Sequence, residues 1–188
     1  AHMKKLEELM KLLDKDKLFE QLKQTEQDNN LMEKDLDRMV EMMKQLERDM
    51  RMEDIAHKAE ELAKKQDELN KETEAGKKAE ELAKKQDELN KEMNGLKKDM
   101  EELAKLNESM NNKKDLDEMK KEEKDAEQSM ENSSNELKSG QSSKASKSQK
   151  KAKESLEKLA KKMEESASGG DSKELEIDEK ATRQILTN

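Results

Sequence analysis

Lys58–Glu72 reads KAEELAKKQDELNKE, and Lys78–Glu92 repeats the same letters 20 residues further on. A helix turns about 100° per residue, so 20 residues carry its face round by about 2000°, which leaves about 200° after whole turns. On one unbroken straight helix Leu62 and Leu82 would point to nearly opposite sides, and identical stripes so placed cannot meet one partner helix. Between the copies lies Glu74-Ala75-Gly76-Lys77, where Gly76 can take the left-handed conformation that ends a helix. The repeat therefore predicts a turn near Gly76 and two antiparallel arms with Leu62, Leu69, Leu82 and Leu89 inward. The competing arrangement is one long helix meeting different neighbours on its two sides, with Gly76 costing about 1 kcal/mol. Each copy also places Glu before Lys at four-residue spacing (Glu60/Lys64 and Glu61/Lys65, then Glu80/Lys84 and Glu81/Lys85), worth about 0.2–0.5 kcal/mol per pair.

Outward from the repeat, apolar residues recur at alternating spacings of four and three, the mark of a coiled-coil seam. One seam runs Met32, Leu36, Met39, Met43, Leu46 and Met50. A second runs from Ala79 and Leu82 through Leu89, Met93, Leu96, Met100 and Leu103 to Met110, interrupted by Gln86 and Asn107, polar residues that set register at some expense of stability. A third runs Ala145, Gln149, Ala152, Leu156, Leu159 and Met163, and Leu6, Leu9 and Leu13 suggest a shorter opening helix. The first seam slips phase between Met50 and Ile55, which predicts a break or kink near Arg51–Asp54 and a spectrin-like three-helix core over 31–110.

Composition agrees with thin helices. Charged residues make up 47% of the chain and hydrophobic ones 29%, with no Pro, Cys, Trp or Tyr and a single Phe, Phe19. Leu, Ile, Val and Phe total 27 of 188 residues, below the usual globular floor of about one fifth. Disorder needs high net charge as well as low hydrophobicity, and here 40 basic residues offset most of 48 acidic ones. Glu, Lys and Gln form helices well, and no Pro interrupts them. The expected fold is all-α, an elongated antiparallel helical bundle or coiled coil. No apolar run approaches the roughly 18 residues that span a bilayer.

Breaks divide the chain. Ala1-His2-Met3 reads as a cloning remnant, and both ends read as boundaries of a longer protein. Residues 4–130 are expected to form the helical bundle, with Asn29-Asn30 separating the opening helices from the first seam and Asn94-Gly95 a weak break. Residues 131–148, ENSSNELKSGQSSKASKS, are rich in Ser, Asn and Gly and read as a flexible linker. Residues 149–188 are expected to hold the C-terminal helices, divided at Ser168-Gly169-Gly170-Asp171.

Chemistry-bearing patterns are few. His57 is the one imidazole beyond the opening remnant, and no Gly-framed nucleophile turn lies near it. Asp14-Lys15-Asp16 and Asp115-Leu116-Asp117-Glu118 lack calcium-loop spacing, so no metal ligand, cofactor ligand or catalytic residue is assigned. Residues 138–162 carry nine Lys and two Glu, a local charge of +7 in a chain of net −8. Lys144, Lys147, Lys150, Lys151, Lys153, Lys161 and Lys162 are thus a candidate patch for an anionic partner such as a lipid surface. Nucleic acid is not expected, because no aromatic residue interleaves them. The blander account, that these lysines face acidic helices of the same bundle, is favoured. Thirteen Met beyond the remnant allow either flexible binding surfaces or gap-filling packing, and packing is favoured.

The runs AEELAKKQDELNKETE, ELAKKQDELNKEMNGLKKDMEELAKLNESM, KASKSQKKAKESLEKLAKKMEE and ELEIDEKATRQILTN stand in an order that resembles the C-terminal coiled-coil region of a family of large membrane-anchored proteins of Bacteroidetes-type bacteria, the domain of unknown function four-one-seven-five. KASKSQKKA and RQIL are the specific elements, since no heptad rule demands them. The match thins over Glu174–Thr182, before Arg183. The resemblance implies a membrane anchor outside this stretch, a periplasmic setting and no activity. The expected function is a structural spacer or protein-interaction module, with a protein partner or self-association through the helical seams. The alternatives are a holdase-like client binder with Met-lined grooves, and a lipid-surface binder acting through 138–162.

Overall fold

The computed structural model describes residues 2–168, with side chains described from Lys23 onward apart from Gln27. The opening side chains Leu6, Leu9 and Leu13, the cap at Gly169–Asp171 and the RQIL element lie outside the described residues. Among the described residues four helices follow one another: α1 (His2–Glu74), α2 (Ala79–Glu108), α3 (Asp117–Lys138) and α4 (Ser142–Ser168). The chain divides into two units, one up to Met43 and one from Lys44 onward. The first is helix alone; the second holds the bundle.

The turn predicted by the repeat is present. Gly76 has φ 74°, and the Lys77 N–H reaches back five residues to the Glu72 carbonyl, 3.3 Å, which closes the end of α1. Gly140 repeats the device at φ 71°, with the Gln141 N–H on the Glu136 carbonyl at 2.8 Å. The α2–α3 connection uses a side chain instead: Asn107 donates to the Lys114 carbonyl and accepts from the Lys114 N–H, both at 2.9 Å.

Neighbouring helices run antiparallel all the way round. Arg51–Glu102, Lys58–Asp99 and Lys65–Glu92 join α1 to α2, residue numbers rising on one helix as they fall on the other. Asp87–Ser134 and Lys97–Glu127 do the same for α2 and α3, Glu136–Ser148 and Glu122–Lys162 for α3 and α4, and Asp67–Lys153 and Glu74–Lys150 for α4 and α1. The result is an up-down-up-down four-helix bundle. Its core is a set of heptad seams: Met52, Ile55, Ala59, Leu62 and Leu69 on α1; Leu82, Leu89, Met93, Leu96, Met100 and Leu103 on α2; Met119, Ala126, Met130 and Leu137 on α3; and Ala145, Ala152, Leu156, Leu159 and Met163 on α4, all buried.

One layer of this core is polar. Gln66 and Gln86, the same position in the two repeat copies, exchange hydrogen bonds of 2.9 Å in both directions. Ser133 Oγ donates to Gln86 Oε1 at 2.9 Å, and Gln149 Nε2 donates to the same oxygen at 3.3 Å. Each of the four helices contributes one residue, and all four residues are fully buried.

Four expectations need correction. Residues 131–148 are not a linker: 131–138 close α3, 142–148 open α4, and only 139–141 turn. Ser133 and Ser134 look like linker residues in sequence, but they are buried seam residues satisfied by Gln86 and Asp87. The helix does not break near Arg51–Asp54, so 31–110 holds two helical segments rather than a spectrin-like three. Asn29-Asn30 likewise sits inside α1, since Asn costs an exposed helix only about 0.7 kcal/mol. The phase slip is instead a change of face, treated below.

Glu123 occupies a seam position between Met119 and Ala126, with a buried oxygen that has no hydrogen-bond partner among the described residues. Burial, reinforced by Glu127, pushes its carboxyl above the usual glutamate range, with Lys97 opposing. An acid raised on folding loses its proton first in the unfolded chain, so its effect on stability turns unfavourable as pH rises past the ordinary glutamate value. Glu123→Gln should raise the urea midpoint at pH 7 and leave it unchanged near pH 3, which paired denaturation curves check. The glycines supply a second contrast. Gly76→Ala and Gly140→Ala should each destabilise by about 1 kcal/mol through their positive φ, whereas Gly95→Ala, with open space around a helical Cβ, should stabilise by about 0.5–1 kcal/mol.

Candidate interaction surface

α1 carries two seams on different faces. Arg48, Met52, Ile55, Ala59, Leu62, Gln66, Leu69 and Thr73 are spaced alternately four and three, and all are buried in the bundle. Arg48 is the unexpected member: it is 1% exposed, with Nη1 on the Asn112 carbonyl at 2.8 Å and Nε on Asp49 at 3.2 Å. Its spacing to Met52 and Ile55 is the seam's own, while its charge marks it as a surface residue.

The other seam is two residues out of step. Leu46 and Met50 lie about 200° round the helix from Arg48 and Met52, and are 63% and 61% exposed. In the first unit Met32, Leu36, Met39 and Met43 are exposed as well, with Leu31 and Val40 beside them. In contrast the bundle methionines, Met52, Met93, Met100, Met119, Met130 and Met163, are core packing.

Three of the seven patch lysines pair with other helices of the bundle and a fourth pairs on its own helix. Lys150 meets Glu74 at 2.7 Å, Lys153 meets Asp67 at 3.0 Å, Lys162 lies 3.1 Å from both Glu118 and Glu122, and Lys161 is 3.7 Å from Glu165 on its own helix. Hydrogen bonds from Lys71 and Lys153 hold the Asp67 carboxyl below its ordinary value, and Asp67 in turn raises Lys153. Lys144, Lys147 and Lys151 are exposed. His57 is a solvent-facing residue 3.9 Å from Glu61. Among the described residues no helix is long and apolar enough to cross a membrane.

No family model, curated protein or solved structure matches this chain.

The Lys153–Asp67 pair is part-buried and joins the first and last helices of the bundle. A double-mutant cycle on Lys153→Gln and Asp67→Asn should give a favourable coupling of about 0.3–1 kcal/mol that weakens with salt. Lys144→Gln and Lys151→Gln should leave the denaturation midpoint unchanged.

Proposed function

We propose that this chain is a non-enzymatic protein-interaction module, in which the apolar seam of the first unit's helix meets a partner. One observation carries the proposal: Met32, Leu36, Met39 and Met43 are 59–73% exposed at strict four-three spacing. That period serves a partner helix, because knobs repeat every 3.5 residues only where another helix supplies holes. Contiguous apolar surface of this kind is uncommon on a protein that acts alone. The resemblance to the membrane-anchored envelope family supplies a setting, in which a periplasmic parent carries the module, and it rests on KASKSQKKA and RQIL.

A holdase-like role is the second reading, favoured by the adaptable Met side chains of the same stripe. An anionic-surface role through 138–162 has less support, since Lys150, Lys153 and Lys162 bridge to other helices. Photo-crosslinking from position 39 in the parent protein, in its native cell, separates these readings. One discrete adduct is expected, while a heterogeneous smear indicates a holdase. No adduct from position 39, with none from position 36, contradicts both and leaves a spacer.

A further inference from the structure

Between its own helices the bundle sets flanking charges of opposite sign against one another. With Met52, Gln66 and Thr73 at heptad a and Ile55, Leu62 and Leu69 at d, the g positions of α1 are Arg51, Lys58, Lys65 and Glu72. Each meets an opposite charge on α2: Glu102 at 2.9 Å, Asp99 at 2.9 Å, Glu92 at 2.7 Å and Lys85 at 2.6 Å. Three of these contacts pair g with g, as an antiparallel seam requires, and where α1 turns acidic at Glu72 the partner turns basic at Lys85.

The exposed seam of the first unit carries a different set. With Leu36 and Met43 at a and Met32 and Met39 at d, its e and g positions are Glu26, Asp28, Glu33, Asp35, Val40 and Met42. Four are carboxylates and none is basic. The basic residues nearby, Lys34 and Arg38, fall at f and c, away from the seam. A second copy of the chain is therefore poorly suited to cover it. Antiparallel self-pairing sets e against e and g against g, where acids meet acids or apolar residues and never a base; parallel self-pairing sets Asp28 against the Glu33 of the other copy.

We propose that the face of α1 around Leu36 and Met39 docks an amphipathic helix of another protein whose apolar heptad seam is flanked by Lys or Arg. The inference rests on the interaction-module proposal and adds the partner's charge. The flanking carboxylates would steer the encounter and set orientation, while Met and Leu supply the buried contact.

The test uses two designed four-heptad peptides, both with Leu at a and d, one with Lys at every e and g and the other with Glu, titrated against the full chain by fluorescence anisotropy. The Lys peptide should bind at least about ten-fold more tightly than the Glu peptide and weaken as salt is raised. Asp28→Lys, Glu33→Lys and Asp35→Lys together should reverse the preference. Met39→Glu should abolish capture, and because residue 39 is exposed the thermal melt of the bundle should not change. Equal binding of the two peptides, or a dimer in sedimentation equilibrium that Met39→Glu dissolves, overturns the charge assignment and leaves the interaction module standing. A monomer that captures neither peptide overturns both.

Discussion

The reciprocal amide pair between Gln66 and Gln86 sets the register on which the bundle depends. Seams built from Leu, Met and Ala are degenerate: an antiparallel pair can slide by a heptad and still bury apolar surface. An amide buried without its partner costs about 1–3 kcal/mol, so a slipped hairpin leaves both glutamines unsatisfied. Ser133 and Gln149 extend the same layer to α3 and α4, so one plane indexes all four helices. The duplication makes this simple, because the same residue of each copy faces its counterpart once the chain turns at Gly76.

Fixing that register also fixes which way α1 faces. Its bundle seam ends in sequence at Arg48, which caps the core by bonding the α2–α3 connection at Asn112. The seam through Leu46 and Met50 runs out of phase with it and is left in solvent. A helix cannot give both stripes to the same neighbours. Charge follows the same division: bridges between bundle helices sit beside the inner seam, while the outer seam is flanked by carboxylates. Individually such surface pairs contribute about 0.2–1 kcal/mol, so their role here is pairing orientation more than stability.

The hairpin and the α2 and α4 seams were legible because apolar spacing and the repeat state them directly. Gln86 and Asn107 also announced themselves as polar interruptions, and each has a structural task, one in the layer and one in closing a turn. α3 was harder. Its seam, Met119, Ala126, Met130, Ser133 and Leu137, is thin in large apolar residues and includes a buried Ser, so composition pointed to a linker. Serine packs there because Gln86 supplies its acceptor, a fact that belongs to another helix and is invisible locally. The slip between Met50 and Ile55 is visible in sequence and fits a break or kink, but a continuous helix with two seams satisfies the same periodicity without losing backbone hydrogen bonds. The outer stripe itself was legible; its lack of a covering helix among the described residues was not.

Met50 and Met52 sit two residues apart on one helix at 61% and 0% exposure, so their oxidation rates report directly on the two faces. Limited peroxide treatment of the native chain, followed by peptide mass spectrometry, tests this division. Met32, Met39, Met43 and Met50 should convert to sulfoxide at rates near that of free methionine, while Met52, Met93, Met130 and Met163 should stay reduced until the bundle unfolds. Equal oxidation of Met50 and Met52, or protection of the whole outer set in the isolated chain, would contradict the account.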